Sequence, residues 1–206
     1  MTYGEIKIEA LKLMFVNYSF DMSVEDIEKM KTDESYGSYL VNMDGAINRA
    51  LDRIENACVV PVKKYAIVDD NLTREGNLQV FDLNKISDLF QVERISAINS
   101  YGDYCGDVEF NIDAEELLIR QNYSNFKVIY YPRLPRKTNK LSDFDELDIP
   151  DNIARLIPYY IKSELYQEEE PTISADARNI FEACLEDLKK PTISKQNYVE
   201  QVIRFC

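Results

Sequence analysis

The 206-residue chain contains no histidine and no tryptophan, only six glycines, and four cysteines that stand far apart. Without histidine, the commonest general base, the Ser-His-Asp relay, the Cys-His pair and most transition-metal sites are closed to it. Cys58, Cys105, Cys184 and Cys206 show no C-x-x-C spacing and read as small apolar residues or free thiols, not a disulfide frame. No glycine belongs to a G-x-G-x-x-G or P-loop pattern. The longest uninterrupted apolar run is about four residues, Leu13 to Val16, against roughly 20 for a membrane span. Glu5, Lys7 and Glu9 interrupt the first apolar stretch, so a signal peptide is not expected and the product is read as soluble and intracellular. Positive charge is also short: 24 Lys and Arg stand against 37 Asp and Glu, a net charge of −13. A general binder of nucleic acid or of anionic membranes needs a cationic face to displace counterions, and this balance argues against both. A non-enzymatic protein without cofactor or metal is the expectation.

What is present is ample for a buried core: 45% of residues are apolar and 30% charged. Periodicity divides the chain into three parts. Thr2 and Glu5 have capping-box spacing, and Ile6, Ala10, Leu13 and Met14 follow as one helical stripe. Ser23 offers an N-cap to a short helix through Val24, Ile27 and Met30. A long helix then carries Tyr36, Leu40, Met43, Ile47, Leu51, Ile54 and Cys58, with Asn42, Asn48, Asp52, Arg53 and Glu55 on its outer face. From about residue 59 the period changes to two. Six β-like runs follow, opened by Val59–Val68 with Pro61 at an edge or bulge, and then Gln79–Leu83, Gln91–Ile98, Asp107–Asp113, Glu116–Arg120 and Phe126–Tyr131. In the fourth, Val108, Phe110 and Ile112 alternate with acidic or amide residues as in a half-buried strand. Turn-like connectors and the lack of intervening helices predict an antiparallel sandwich or barrel.

Pro132 to Asp148 reads as a polar, solvated linker, basic at Arg133, Arg136, Lys137 and Lys140, then acidic at Asp143, Asp145, Glu146 and Asp148. The acidic group lacks the glycine and late glutamate of an EF-hand loop, so solvated charge outweighs a Ca²⁺ site. The basic group is a candidate contact for phosphates or for an acidic partner. A helix from Pro150 to about Glu168 should kink near Pro158. The tetrapeptide Pro-Thr-Ile-Ser occurs at 171–174 and again at 191–194, each supplying a serine N-cap. The first should launch Ala175–Lys189 with Ala177, Ile180, Phe181, Cys184 and Leu188 inward. The second precedes an amphipathic end with Tyr198, Val199, Val202, Ile203 and Phe205, either a docking arm or the closure of its own bundle. Among the 14 tyrosines, one member of each of the pairs Tyr130-Tyr131 and Tyr159-Tyr160 is expected in the core and the other at an interface.

The fold expected is therefore α+β: a helical bundle from residues 1–58 and 133–206, with an antiparallel β-sandwich or barrel inserted at 59–132. The stretch Tyr130-Tyr131-Pro132-Arg133-Leu134, then Asp148-Ile149-Pro150, then Leu156-Ile157-Pro158-Tyr159-Tyr160-Ile161 through Tyr166 resembles the head–tail connector (adaptor) proteins of tailed bacteriophages. In that family an I-P-Y-Y helix ends in an acidic turn and precedes a second helix with an aromatic on its inner face; Ala177, Ile180, Phe181 and Leu185 fit it here. The resemblance covers the helical ends, about half the chain, and the β-insert corresponds to the larger adaptors. It implies a structural virion protein at the head–tail junction, assembled in the bacterial host cytoplasm as a ring, typically of twelve copies. Its partners would be itself, the portal protein and tail or neck proteins, through Arg133, Arg136, Lys137 and the Tyr198–Phe205 segment. Packaged DNA would pass through without specific binding, and no membrane is involved. The alternatives are another neck, tail-completion or stopper protein, or an intracellular module whose β-domain grips a protein or carbohydrate on a concave surface rimmed by aromatics such as Tyr101 and Tyr104.

Overall fold

A computed structural model describes residues 1–15, 22–67, 72–75, 78–120, 125–138 and 140–189. The protein is α+β, with helices at both ends of the described chain and two antiparallel sheets between them. Helix α1 (Tyr3–Met14) begins at the expected capping box: Thr2 Oγ1 accepts from the Glu5 amide at 3.1 Å, and the Thr2 amide donates to Glu5 Oε2 at 2.7 Å. A 3₁₀ turn at Val24–Asp26 leads into α2 (Ile27–Met30), and α3 (Gly37–Asn56) runs until Cys58 takes a left-handed φ of 53°. That turn ends the helix and aims the chain toward the sheets. The run from Val59 is accordingly not strand at its start; β1 opens only at Lys63, and Val60 packs with the helices.

The strands are β1 (Lys63–Ile67), β2 (Thr73–Glu75), β3 (Leu78–Asp82), β4 (Leu89–Ile98), β5 (Tyr104–Asp107), β6 (Phe110–Asp113), β7 (Glu116–Ile119) and β8 (Phe126–Pro132). They form two four-stranded sheets, ordered β1-β8-β4-β5 and β2-β3-β7-β6, both antiparallel throughout. Inward residues of both sheets, among them Ile67, Phe81, Ile95, Leu117 and Phe126, share one apolar cluster. The predicted single strand Asp107–Asp113 is a correction. The chain leaves one sheet after Asp107, buries Val108, and enters the other at Phe110, so alternation is lost and Ile112 is 47% exposed.

A second apolar cluster belongs to the helices and to residues 134–138 and 140–149. Helix α5 (Ile157–Leu165) packs against α1, α3 and α6 (Pro171–Lys189). The predicted kinked helix from Pro150 is two helices: α4 (Asp151–Ala154) ends at Arg155, and Pro158 sits in the first turn of α5, where its missing N–H costs nothing. Helix α6 begins at Pro171 and not at Ala175. Ser174 is thus inside it, and its hydroxyl donates to the Ser163 carbonyl, joining α6 to α5. This four-residue extension leaves Ala177, Phe181 and Leu185 buried as expected, while Ile180 points outward. The second Pro-Thr-Ile-Ser lies outside the described residues.

The predicted solvated linker is the largest correction. Residues 133–138 and 140–149 form a strap laid across the helices, with Leu134, Lys137, Leu147 and Ile149 buried. Glu55, assigned to the outer face of α3, lies beneath it. The Leu134 amide and both backbone groups of Lys137 are satisfied by the side chains of Glu55 and Asn48 on α3, and polarity alone does not reveal this.

Candidate functional site

The three basic residues expected to meet a partner lie along the strap in different surroundings. Arg133 is exposed; its amide donates to the Asp88 carbonyl at 2.7 Å and its Nε to the Leu89 carbonyl at 2.9 Å. It borders a cleft of about 540 Å³ that also holds Leu89, Phe90 and Ile112. Arg136 is drawn inward: Nε donates to Asp52 Oδ1 at 2.9 Å, Nη1 to the Leu134 carbonyl at 2.6 Å and Nη2 to Glu55 Oε1 at 3.1 Å. The other oxygen of Glu55 accepts from the Leu134 amide at 2.6 Å. Lys137 is buried, with Nζ donating to the Leu141 carbonyl and lying 4.6 Å above the Tyr3 ring. Asn48 of α3 pairs with both backbone groups of Lys137. Two of the three cations therefore hold the strap in place. Tyr198, Val199, Val202, Ile203 and Phe205 lie outside the described residues.

Beneath the strap sits an ionic centre that sequence reading missed. Lys7 of α1 is fully buried, and its Nζ lies 2.7 Å from Asp143 Oδ1 and 2.8 Å from Asp44 Oδ1. Lys137 and Lys31 stand 3.4 and 3.9 Å from the Asp143 carboxylate. Burial pushes the Asp143 carboxyl up, but the hydrogen bond from Lys7 and the charges of Lys7, Lys137 and Lys31 outweigh it and hold it below the ordinary value. A signal was available: Lys7 stands four residues after Tyr3 and three before Ala10, on the apolar stripe itself. Asp143, read with Asp145, Glu146 and Asp148 as one acidic group, is drawn inward with its side chain 9% exposed, while Glu146 and Asp148 are exposed. The Asp145 carbonyl accepts from the Tyr3 amide, and Glu146 forms a bridge with Thr2. Among the described residues, no group of three or more His, Cys, Asp or Glu side chains is placed to hold a metal ion.

The β4–β5 hairpin presents a different surface. Asn99 organises it: its Oδ1 accepts from the amides of Tyr101 and Asp103 at 2.9 Å each, and its Nδ2 donates to Asp103 Oδ2 at 3.1 Å. Gly102 completes the turn at φ +86°, a conformation open to glycine. The result is a defined tip with Tyr101 90% and Tyr104 64% exposed. Tyr101 stands in the turn and Tyr104 opens β5. Of the tyrosine pairs, Tyr130 and Tyr160 are buried and Tyr131 and Tyr159 half-buried.

Among the described residues, no helix is long and apolar enough to cross a membrane. Comparison with protein-family models and with curated proteins finds no match.

Proposed function

We propose that this protein is a structural virion component that forms a ring at the head–tail junction of a tailed bacteriophage, between portal and tail, and extends the DNA channel. The helices at the two ends of the chain act as one bundle, and the β-strands act as a sandwich-like module inserted in it. The observation that carries this reading is the contact between Tyr160 of α5 and Phe181 of α6. Their ring centroids are 5.0 Å apart at 68°, and Phe181 is fully buried. The resemblance called for an I-P-Y-Y helix followed by a helix with an inward aromatic, and these residues occupy those places. The Arg178 guanidinium lies over the Tyr160 ring, 4.1 Å from its centroid, and Arg49–Glu164 and Arg53–Glu182 tie α3 to α5 and α6. These contacts join α3, α5 and α6 into one unit.

Charge supports the same reading. A ring of twelve chains at −13 each carries roughly 150 negative charges, which repel the DNA backbone and leave it free to slide. The role needs no catalytic step. A second reading, a binding module acting through its β-strands, draws on the exposed tip at Tyr101 and Tyr104. One experiment separates the two: native mass spectrometry of the full chain, alone and with a portal protein. A ring, or a stoichiometric complex with the portal, is expected. A monomer indifferent to portal at every concentration overturns the adaptor and favours the binding module.

A further inference from the structure

The sheet β1-β8-β4-β5 has two edge strands that differ in both direction and charge. Each neighbouring pair is antiparallel, so across four strands β1 and β5 run in opposite directions. A second copy set beside the first in the same orientation thus meets it with β5 antiparallel to β1. An edge strand leaves alternate N–H and C=O groups without a ladder partner, the usual template for adding another strand.

Side-chain alternation fixes which residues share a face. On β1, Tyr65 and Ile67 face the apolar cluster, which places Lys64 and Ala66 on the opposite face, both exposed. On β5, Gly106 pairs with the inward Ala97, while Asp107 pairs with Ser96 and accepts from its hydroxyl at 3.2 Å. Asp107 therefore occupies the opposite face and is exposed, while Tyr104 pairs with Ile98 and leaves Cys105 as the extra residue of a bulge. Matching face to face and charge to charge sets Asp107 across from Lys64 and Gly106 from Tyr65; a slip of one residue would turn every side chain to the wrong face. A side chain at Gly106 would meet nothing within 4 Å, so there is room for the neighbouring tyrosine to lie across it.

Charge selects this pairing over the symmetric ones. Asp103 and Asp107 flank and end the β5 edge, which carries no Lys or Arg, so two β5 edges repel. Two β1 edges would set Lys63 and Lys64 against their own kind, and Lys63 is already paired with Asp88 at 2.7 Å. We infer that the β5 edge of one copy pairs with the β1 edge of the next, with Asp107 opposite Lys64, in a head-to-tail contact between copies of this chain. Such a heterologous contact closes into a ring when its rotation divides the circle, and for that closure the inference rests on the proposed function. The edges are only five and four residues long, so one contact is weak and a closed ring accumulates many.

The test uses the full chain, alone and with a portal protein, and follows assembly by light scattering and native mass spectrometry. Lys64→Glu and Asp107→Lys are each expected to raise the concentration needed for assembly about tenfold or more, and the double reversal to restore it. As a readout independent of association strength, the double variant Lys64→Cys/Asp107→Cys, carried with Cys105→Ser, is expected to form covalent dimers and longer ladders under mild oxidation. Either new cysteine alone in that background should not. Assembly that ignores both reversals, with no ladder from the double-cysteine variant, overturns the edge pairing while leaving the ring intact. Wild-type chain that stays monomeric even with portal overturns the ring itself.

Discussion

Lys7 on the first helix and Asp143 on the strap lie 2.7 Å apart in the interior, although 136 residues separate them in the chain. Asp143 also faces Lys137 and Lys31, and the neighbouring strap carbonyls accept from the start of α1: Gly4 donates to the Asp143 carbonyl and Tyr3 to that of Asp145. The strap is thereby part of the helical core, and the Asp143 carboxylate is one of the groups that position it.

Replacing Asp143 with Ala leaves Lys7 and Lys137 buried without this counter-charge. A loss of about 3–5 kcal/mol is expected in urea denaturation. Lys7→Met should cost less, because Lys137 and Lys31 still face the carboxylate. The Asp143 carboxyl is held below its ordinary 3.8, so its contribution is full above that value. It is lost as pH falls through the lowered folded value. Acid titration of stability should show this loss in the wild type and lack it in Asp143→Asn.

Phenol ionisation reports two further contacts. The hydrogen bond to Glu169, with burial second, pushes Tyr39 up to about 12; burial, then the hydrogen bond to Asp88, does the same for Tyr130. A raised phenol favours the folded state below the ordinary 10.0, and that stability fades as pH climbs toward about 12. Ultraviolet titration of the native protein should contain late phenols, with Tyr39 and Tyr130 among them. Tyr39→Phe and Tyr130→Phe should each remove one.

Adjacent residues on α6 should respond in opposite ways. Phe181→Ala removes a fully buried ring and is expected to cost about 3–5 kcal/mol, whereas Ile180→Ala should change stability by less than about 0.5 kcal/mol. Equal losses at both positions in urea melts would contradict the helix register that begins at Pro171.

Gly4 permits the close approach of α1 to its neighbours, since a methyl group there would run into Val24 and the Asp143 carbonyl. Gly4→Ala is expected to lower stability by about 1–3 kcal/mol despite the better helix propensity of alanine. An unchanged or raised melting temperature would show that α2 and the strap yield easily.

Much of the local structure follows directly from the residues. Thr2 and Glu5 determine where α1 begins, and the spacing of Leu40, Met43, Ile47, Leu51 and Ile54 determines the buried face of α3. The change of period after Cys58 marks the passage from helix to strand. These features are local: each depends on contacts within a turn or a strand, so one-dimensional pattern carries them. The candidate contact residues were legible by type but not by environment. Arg133, Arg136 and Lys137 are alike in the chain, yet one is exposed, one bridges α3 to the strap, and one is buried over Tyr3.

By itself, the sequence determined the order α, β, α, the acidic balance, the lack of histidine chemistry and the inward placement of Phe181. Only the tertiary structure decided that residues 133–138 and 140–149 are a strap instead of a solvated linker, that Lys7 is buried, and that Asp107–Asp113 is divided between two sheets. The physical reason is common to all three. A charged or polar group is buried only when distant residues meet its charge and hydrogen bonds, and a strand changes sheets only when the second sheet is there to receive it. Those partners lie far along the chain, where no local period connects them.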